Sequence, residues 1–166
     1  MALELNQTLS DLQSTYTCTG KLEWIGLRPG HRQEMTVVEE AVLETGKGII
    51  GDHHSSCSGK KQVTLIQAEH LPVIASLCGH AKVNPASLRR NLVISGLNIA
   101  TLKDRKFRLG EAILQGTGYC HPCSRMEENL GRGGYSAVRN HGGITAMVIS
   151  GGRIVIGDPF DVLPDS

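Results

Sequence analysis

Glycine sets the limits on what this chain can fold into. Twenty of the 166 residues are glycine, and they cut the sequence into short apolar runs. A buried helix needs an uninterrupted pattern of at least about 10 residues, whereas a strand is complete in about five. The runs 21–28, 37–43, 62–66, 91–95, 106–109, 112–114, 144–149, 153–156 and 160–163 are β-prone. Pro29-Gly30 ends the first, and Ser150-Gly151-Gly152 lies between two others, which is a hairpin signal. Helical patterns are few and short. One covers 67–77, with Pro72 either in its first turn or kinking it, and another covers 86–90 behind an Asn84-Pro85 cap. A third runs over 124–130 and is closed by Gly131, and 135–138 adds a turn. Strands do not alternate with long helices, which argues against a doubly wound parallel sheet. The pattern predicts a mainly β, barrel-like domain with a few short α-helices over residues 20–166. Residues 1–19 read as a polar tail or an added helix with no function assigned.

A chain of this length suits one domain and buries enough surface to fold without staples. Basic and acidic residues nearly balance, 17 against 16, so nothing calls for nucleic acid or an anionic membrane. Aromatics make up 4 %, too few for a base-stacking surface. No run is long enough to span a bilayer, and the first residues lack the basic start and apolar core of a signal peptide. Five cysteines is an odd number. The expectation is a cytoplasmic protein with reduced thiols.

The chemistry concentrates in 116–131, GTGYCHPCSRMEENLG. Pro122 fixes the backbone before Cys123, and a helical pattern follows at once. Cys123 is therefore expected at the first turn of a helix, with His121 and Arg125 adding positive charge. That setting favours a thiolate that acts as nucleophile or metal ligand. The Cys120-x-x-Cys123 spacing leaves other chemistry open. A thioredoxin-like dithiol would need a βαβ setting, which the pattern lacks. A structural zinc site would need two more ligands, for which Cys57 with His53 or His54 are the candidates.

Basic residues cluster at Arg28, at His53-His54 with Lys60-Lys61, at Arg89-Arg90-Asn91 and at Arg139-Asn140-His141. The third cluster lies where a short helix meets an apolar strand, at a rim suited to an anion. Arg supplies a planar fork for phosphate, and Asn adds a donor and an acceptor.

Five blocks follow one another in order: GIIGDHH, GKKQVTLIQAEHL, LRRNLVISGLNI, FRLGEAILQGTGYCHPCSRMEENLG and HGGITAMVISGGRIVIGD. Together they resemble the MOSC domain, found at the C-terminus of molybdenum-cofactor sulfurases and in small stand-alone bacterial proteins. The likeness covers about residues 20–164. It implies a β-barrel of the MOSC/pyruvate-kinase type with one functional cysteine, which maps onto Cys123. It also implies binding of the molybdenum cofactor, sulfur transfer, or reduction of N-hydroxylated bases. The family's Arg-x-Asn matches Arg89 and Asn91, which would hold the pterin or its phosphate. Arg28 matches the basic residue closing the first strand. His53 stands where many relatives have arginine in a Gly-Asp-Arg block. The large sulfurases carry an upstream pyridoxal-phosphate domain for which this chain has no room, so pyridoxal phosphate would come only with a partner.

Three expectations follow. In the first, Cys123 ligates molybdenum, Arg28, His53, Arg89 and Asn91 hold the pterin, and an external reductase supplies electrons to reduce an N-hydroxylated small molecule. In the second, Cys123 carries a persulfide received from a cysteine desulfurase. In the third, a zinc clip stabilises a non-catalytic interaction domain.

Overall fold

The computed structural model describes residues 7–53 and 59–165. His54 and Cys57, and the zinc-ligand role considered for them, lie outside the described residues. The strands are β1 (Gly20–Leu27), β2 (Thr36–Val38), β3 (Glu40–Glu44), β4 (Gly48–Ile49), β5 (Val63–Gln67), β6 (Leu92–Ser95), β7 (Lys106–Leu109), β8 (Ala112–Tyr119), β9 (Ile144–Ser150), β10 (Gly152–Val155) and β11 (Pro159–Val162). Four short helices accompany them: α1 (Leu9–Gln13), α2 (His70–Leu77), α3 (Ser124–Leu130) and α4 (Gly134–Val138). No helix among the described residues is long and apolar enough to cross a membrane.

Seven strands close into a barrel in the order β1-β11-β7-β8-β9-β5-β6, and β2 hangs off the free edge of β1. Closure comes from the pairing of Gly20 with Phe160 and of Lys21 with Pro159. Only β5 and β6 run parallel within the barrel, with Leu65 opposite Leu92. A parallel pair needs a crossover, and residues 68–91 supply it with α2 and a 3₁₀ turn, Pro85–Leu88. The mainly β, barrel-like expectation holds.

The pleat explains where the helices sit. Leu65, Leu92 and Ile94 point into the barrel beside Leu22, Phe107, Leu114 and Phe160. Phe107 and Phe160 stack there with ring centroids 4.5 Å apart. Their strand neighbours Ile66 and Val93 point outward into a second core with Ile74, Leu88, Met126, Leu130 and Val138. Met126 and Leu130 are four residues apart, so α3 turns one face to that core. Every residue of β5 is consequently buried. The second core fixes α3, and with it Cys123, against the outside of the barrel.

Four local expectations change. Residues 37–43 form two strands instead of one: β2 adds to the edge of β1, while β3 joins a small sheet ordered β10-β3-β4. Gly151-Gly152 makes no hairpin, because β9 pairs with β5 and β8 whereas β10 pairs with β3. Those two glycines serve close approach: a Cβ on Gly151 would lie 2.6 Å from the Leu43 carbonyl, and one on Gly152 2.7 Å from Glu111. β8 continues past Leu114 to Tyr119 through a register shift between Gly116 and Gly118. The pattern over 86–90 gives a 3₁₀ turn that stops at Leu88, since Arg89 takes a left-handed conformation at φ 55°.

Candidate functional site

β8 carries the chain to the cysteines. The Cys120 amide donates to the Gly143 carbonyl at 2.9 Å, which anchors the start of the segment beside β9. Cys123 is extended, at φ −126° and ψ 175°, and stands immediately before α3 as its N-cap, one position ahead of the first turn. Its side chain caps no backbone amide, and the residue is solvent-exposed.

Cys123 opens on a cleft of about 190 Å³ whose wall is cationic: Arg28, His31, Arg32, His53, Arg89 and Arg125. These residues come from the ends of β1 and β4, the 3₁₀ turn before β6, and α3. Arg89 is part-buried, and its guanidinium donates to the Gln33 carbonyl. Burial above all, then repulsion from Arg125 and Arg28, pulls its proton affinity below that of an ordinary arginine. It remains charged at neutral pH. Cations crowded in this way favour an anionic ligand.

Arg28 is held from behind. Its Nε and Nη2 donate to Asp52 Oδ1 and Oδ2 at 3.1 and 2.9 Å, and Nη2 also donates to Asn91 Oδ1 at 3.1 Å. Asn91 is fully buried. Its amide donates to the Gly26 carbonyl and to Asp52 Oδ1, and its oxygen accepts from both the backbone and the hydroxyl of Thr64. Both ends of Asn91 are therefore spent inside the protein, beneath the cleft. His53 is exposed on the wall, with its backbone N–H on the Arg28 carbonyl at 2.7 Å.

Arg90, the middle residue of the Arg89-Arg90-Asn91 cluster, turns inward. The left-handed turn at Arg89 sends the two neighbouring side chains in different directions. Arg90 is 5 % exposed, with Nε on the Gly142 carbonyl and Nη1 on the Leu88 carbonyl, both at 2.8 Å.

Of the residues singled out in the sequence, Cys123, Arg28, His53 and Arg89 share this cleft. Cys120 lies elsewhere. With Tyr119 and His121 it lines a pocket of about 240 Å³ next to His70 and Asn140, and a larger one of about 620 Å³ next to Lys60, Lys61 and Arg28. Among the described residues no group of three or more His, Cys, Asp or Glu side chains could hold a metal ion. The sequence reading missed His31 and Arg32, although they directly follow the Pro29-Gly30 stop of the first strand. It also missed Asp52 as the anchor of Arg28, although Asp52 sits in the Gly-Asp-His block that drew notice.

A family model described as the MOSC domain matches residues 50–161, more than half of the chain. Among solved structures, the YuaD protein of Bacillus subtilis is similar with a TM-score of 0.76 at 19 % identity, over 90 % of this chain and 98 % of that one. YiiM of Escherichia coli gives a TM-score of 0.67 at 21 % identity, over 88 % of this chain and 71 % of that one. YiiM of Geobacillus stearothermophilus gives 0.71 at 16 % identity, over 87 % and 75 %. At these identities the likeness establishes the shared fold. A comparison with curated proteins finds no match.

Proposed function

This chain belongs to the MOSC domain family, and from that premise we propose that it binds the molybdenum cofactor at Cys123 and reduces N-hydroxylated small molecules with electrons from a separate reductase. The observation that carries the reading is the convergence of an exposed thiol with Arg28 and Arg89 on one cationic cleft. The residues fit the group. A thiolate is a soft donor suited to a thiophilic metal. Guanidinium forks suit the phosphate of a pterin phosphate. The cofactor, when bound, supplies two-electron redox chemistry at its metal.

The chain's own residues bind and orient. Cys123 presents its sulfur at the cleft mouth. Arg89, Arg125 and Arg32 offer charge and donors to an anion. Arg28 faces the cleft with its orientation fixed by Asp52 and Asn91, so a ligand meets a group already in place. Asn91 acts through Arg28, because its own polar atoms are taken. The net reaction converts R–NHOH, two electrons and two protons into R–NH₂ and water. His31 and His53, both exposed on the wall, carry imidazole rings that can pass protons from solvent.

The test is metal analysis and pterin fluorescence on protein freshly purified from a host that makes the cofactor. The expected result is molybdenum and pterin in equal amounts with wild type, and neither with Cys123→Ser. Wild type free of both, from such a host, would overturn the reading. The exposed thiol also suits the sulfur-carrier alternative, for which a persulfide mass shift on Cys123 in metal-free protein is the distinguishing result.

A further inference from the structure

Arg90 is a buried cation that no carboxylate neutralises among the described residues. Its guanidinium is satisfied by carbonyls from three separate segments: Leu88 at the end of the 3₁₀ turn, Gly142 in the loop before β9, and Cys120, more weakly, at 3.5 Å. The loops it joins are pressed together. A Cβ on Gly142 would collide with the Cys120 carbonyl and come within 3.1 Å of Arg90 Nη2. The Cys120 amide is tied to Gly143 as well, so both polar backbone groups of Cys120 are fastened beside β9. What remains of the Arg90 surface faces the cleft that holds Cys123.

Burying a guanidinium with no carboxylate beside it is unfavourable unless its surroundings offset the lost hydration. Core packing alone calls for no charge at this position. We propose that Arg90 is the positioning residue of Cys123. It clamps the Cys120–Cys123 segment against the barrel so that the thiol stays among Arg28, Arg89 and Arg125, and it adds its own unpaired charge to the field of the cleft. The inference rests on the reading of Cys123 as the reactive group, and it assigns Arg90 a role that does not require contact with a ligand.

The experiment compares labelling of Cys123 by iodoacetate, an anion, and by iodoacetamide, its neutral analogue, read peptide by peptide by mass spectrometry. The rate ratio reports the local positive field. Exposed Cys18 supplies the reference, and half-buried Cys78, bonded to the Ile74 carbonyl, reports loosening of the core. In wild type the ratio at Cys123 should exceed that at Cys18. Arg90→Met should lower it by about threefold or more, the size expected for one unit charge at short range in a partly screened site, with Cys78 labelling unchanged. Arg90→Lys keeps the charge, but an ammonium cannot hold three diverging carbonyls, so its ratio should fall between the two. A ratio unchanged in Arg90→Met, one that falls only as fast as Cys78 becomes reactive, or a wild-type value in Arg90→Lys would each overturn the proposal. Labelling is read on molybdenum-free protein and needs no cofactor. Metal content of the same preparations therefore tests the cofactor reading separately.

Discussion

Arg28 and Asp52 form a two-point ion pair at the floor of the cleft, with the carboxylate side chain fully buried and the guanidinium about one-eighth exposed. The Arg28 backbone N–H donates to the same carboxylate at 2.8 Å, so Asp52 fixes both the direction of β1 and the fork at its end. Removing one partner of a buried pair leaves the other uncompensated.

Asp52→Ala should therefore destabilise the protein by about 3 kcal/mol or more. The loss should exceed that of Arg28→Ala, since Asp52→Ala also takes the acceptor away from the Arg28 backbone N–H and from the buried Asn91 amide. Urea unfolding of the two single variants and the double variant checks this, and a coupling energy near zero would contradict it.

Arg89 carries a conformational strain that its chemistry does not need. At φ 55°, glycine is at ease where arginine is strained. Arg89→Gly should stay within about 1 kcal/mol of wild type in stability. It should retain about ten- to a hundredfold less cofactor, which corresponds to a charge-assisted contact of about 1.5–3 kcal/mol. Arg89→Lys should recover part of the retention. Pterin content at matched expression, with thermal midpoints alongside, separates the two effects.

The two cysteines open on different cavities, which sets their substitutions apart. Cys123→Ser should abolish molybdenum retention with little change in stability. Cys120→Ser should retain most of it. Equal loss from both would point to a dithiol or a metal pair.

Gly143 sits at φ +87°, and a Cβ there would overlap the Leu65 carbonyl. Gly143→Ala should cost several kcal/mol and loosen the Cys120 anchor, because backbone cannot yield as a flexible side chain can. Gly46, at φ +79° with nothing near its absent Cβ, is the control. Gly46→Ala should cost only about 1 kcal/mol of backbone strain. Thermal midpoints of the pair test whether close approach or left-handed geometry dominates.

His70 gives stability a defined pH dependence. Burial, and then the neighbouring His141 ring 5.3 Å away, hold its pKa below the usual histidine value, against a weaker opposing effect of Glu69. As pH falls through about 6.5, the unfolded chain takes up a proton that the folded protein refuses. Stability contributed by neutral His70 is thus complete above that pH and declines below it, until the folded group also protonates. His70→Gln should flatten the decline between pH 7 and pH 5 in urea midpoints.

Much of this protein is written locally. Glycine spacing and β-prone runs determine that the chain is a tightly turning β structure, and the Asn84-Pro85 cap, the Pro122-Cys123 step and Gly131 mark real boundaries of short turns and helices. Those features depend on backbone preferences within a few residues, so the sequence alone carries them. Pairing between distant strands does not. Only tertiary structure decides that 37–43 splits between two sheets, that β10 leaves β9 for β3, and that β1 closes on β11. Each follows from long-range register and from where backbones pass too close for a side chain. The site divides in the same way. Residue type and order single out Cys123, Arg28, His53 and Arg89, and the barrel brings them to one cleft. The inward turn of Arg90 follows from the left-handed residue before it, while the burial of Asn91 and the anchoring by Asp52 follow from contacts with β1 and β5, and no short stretch of sequence encodes those.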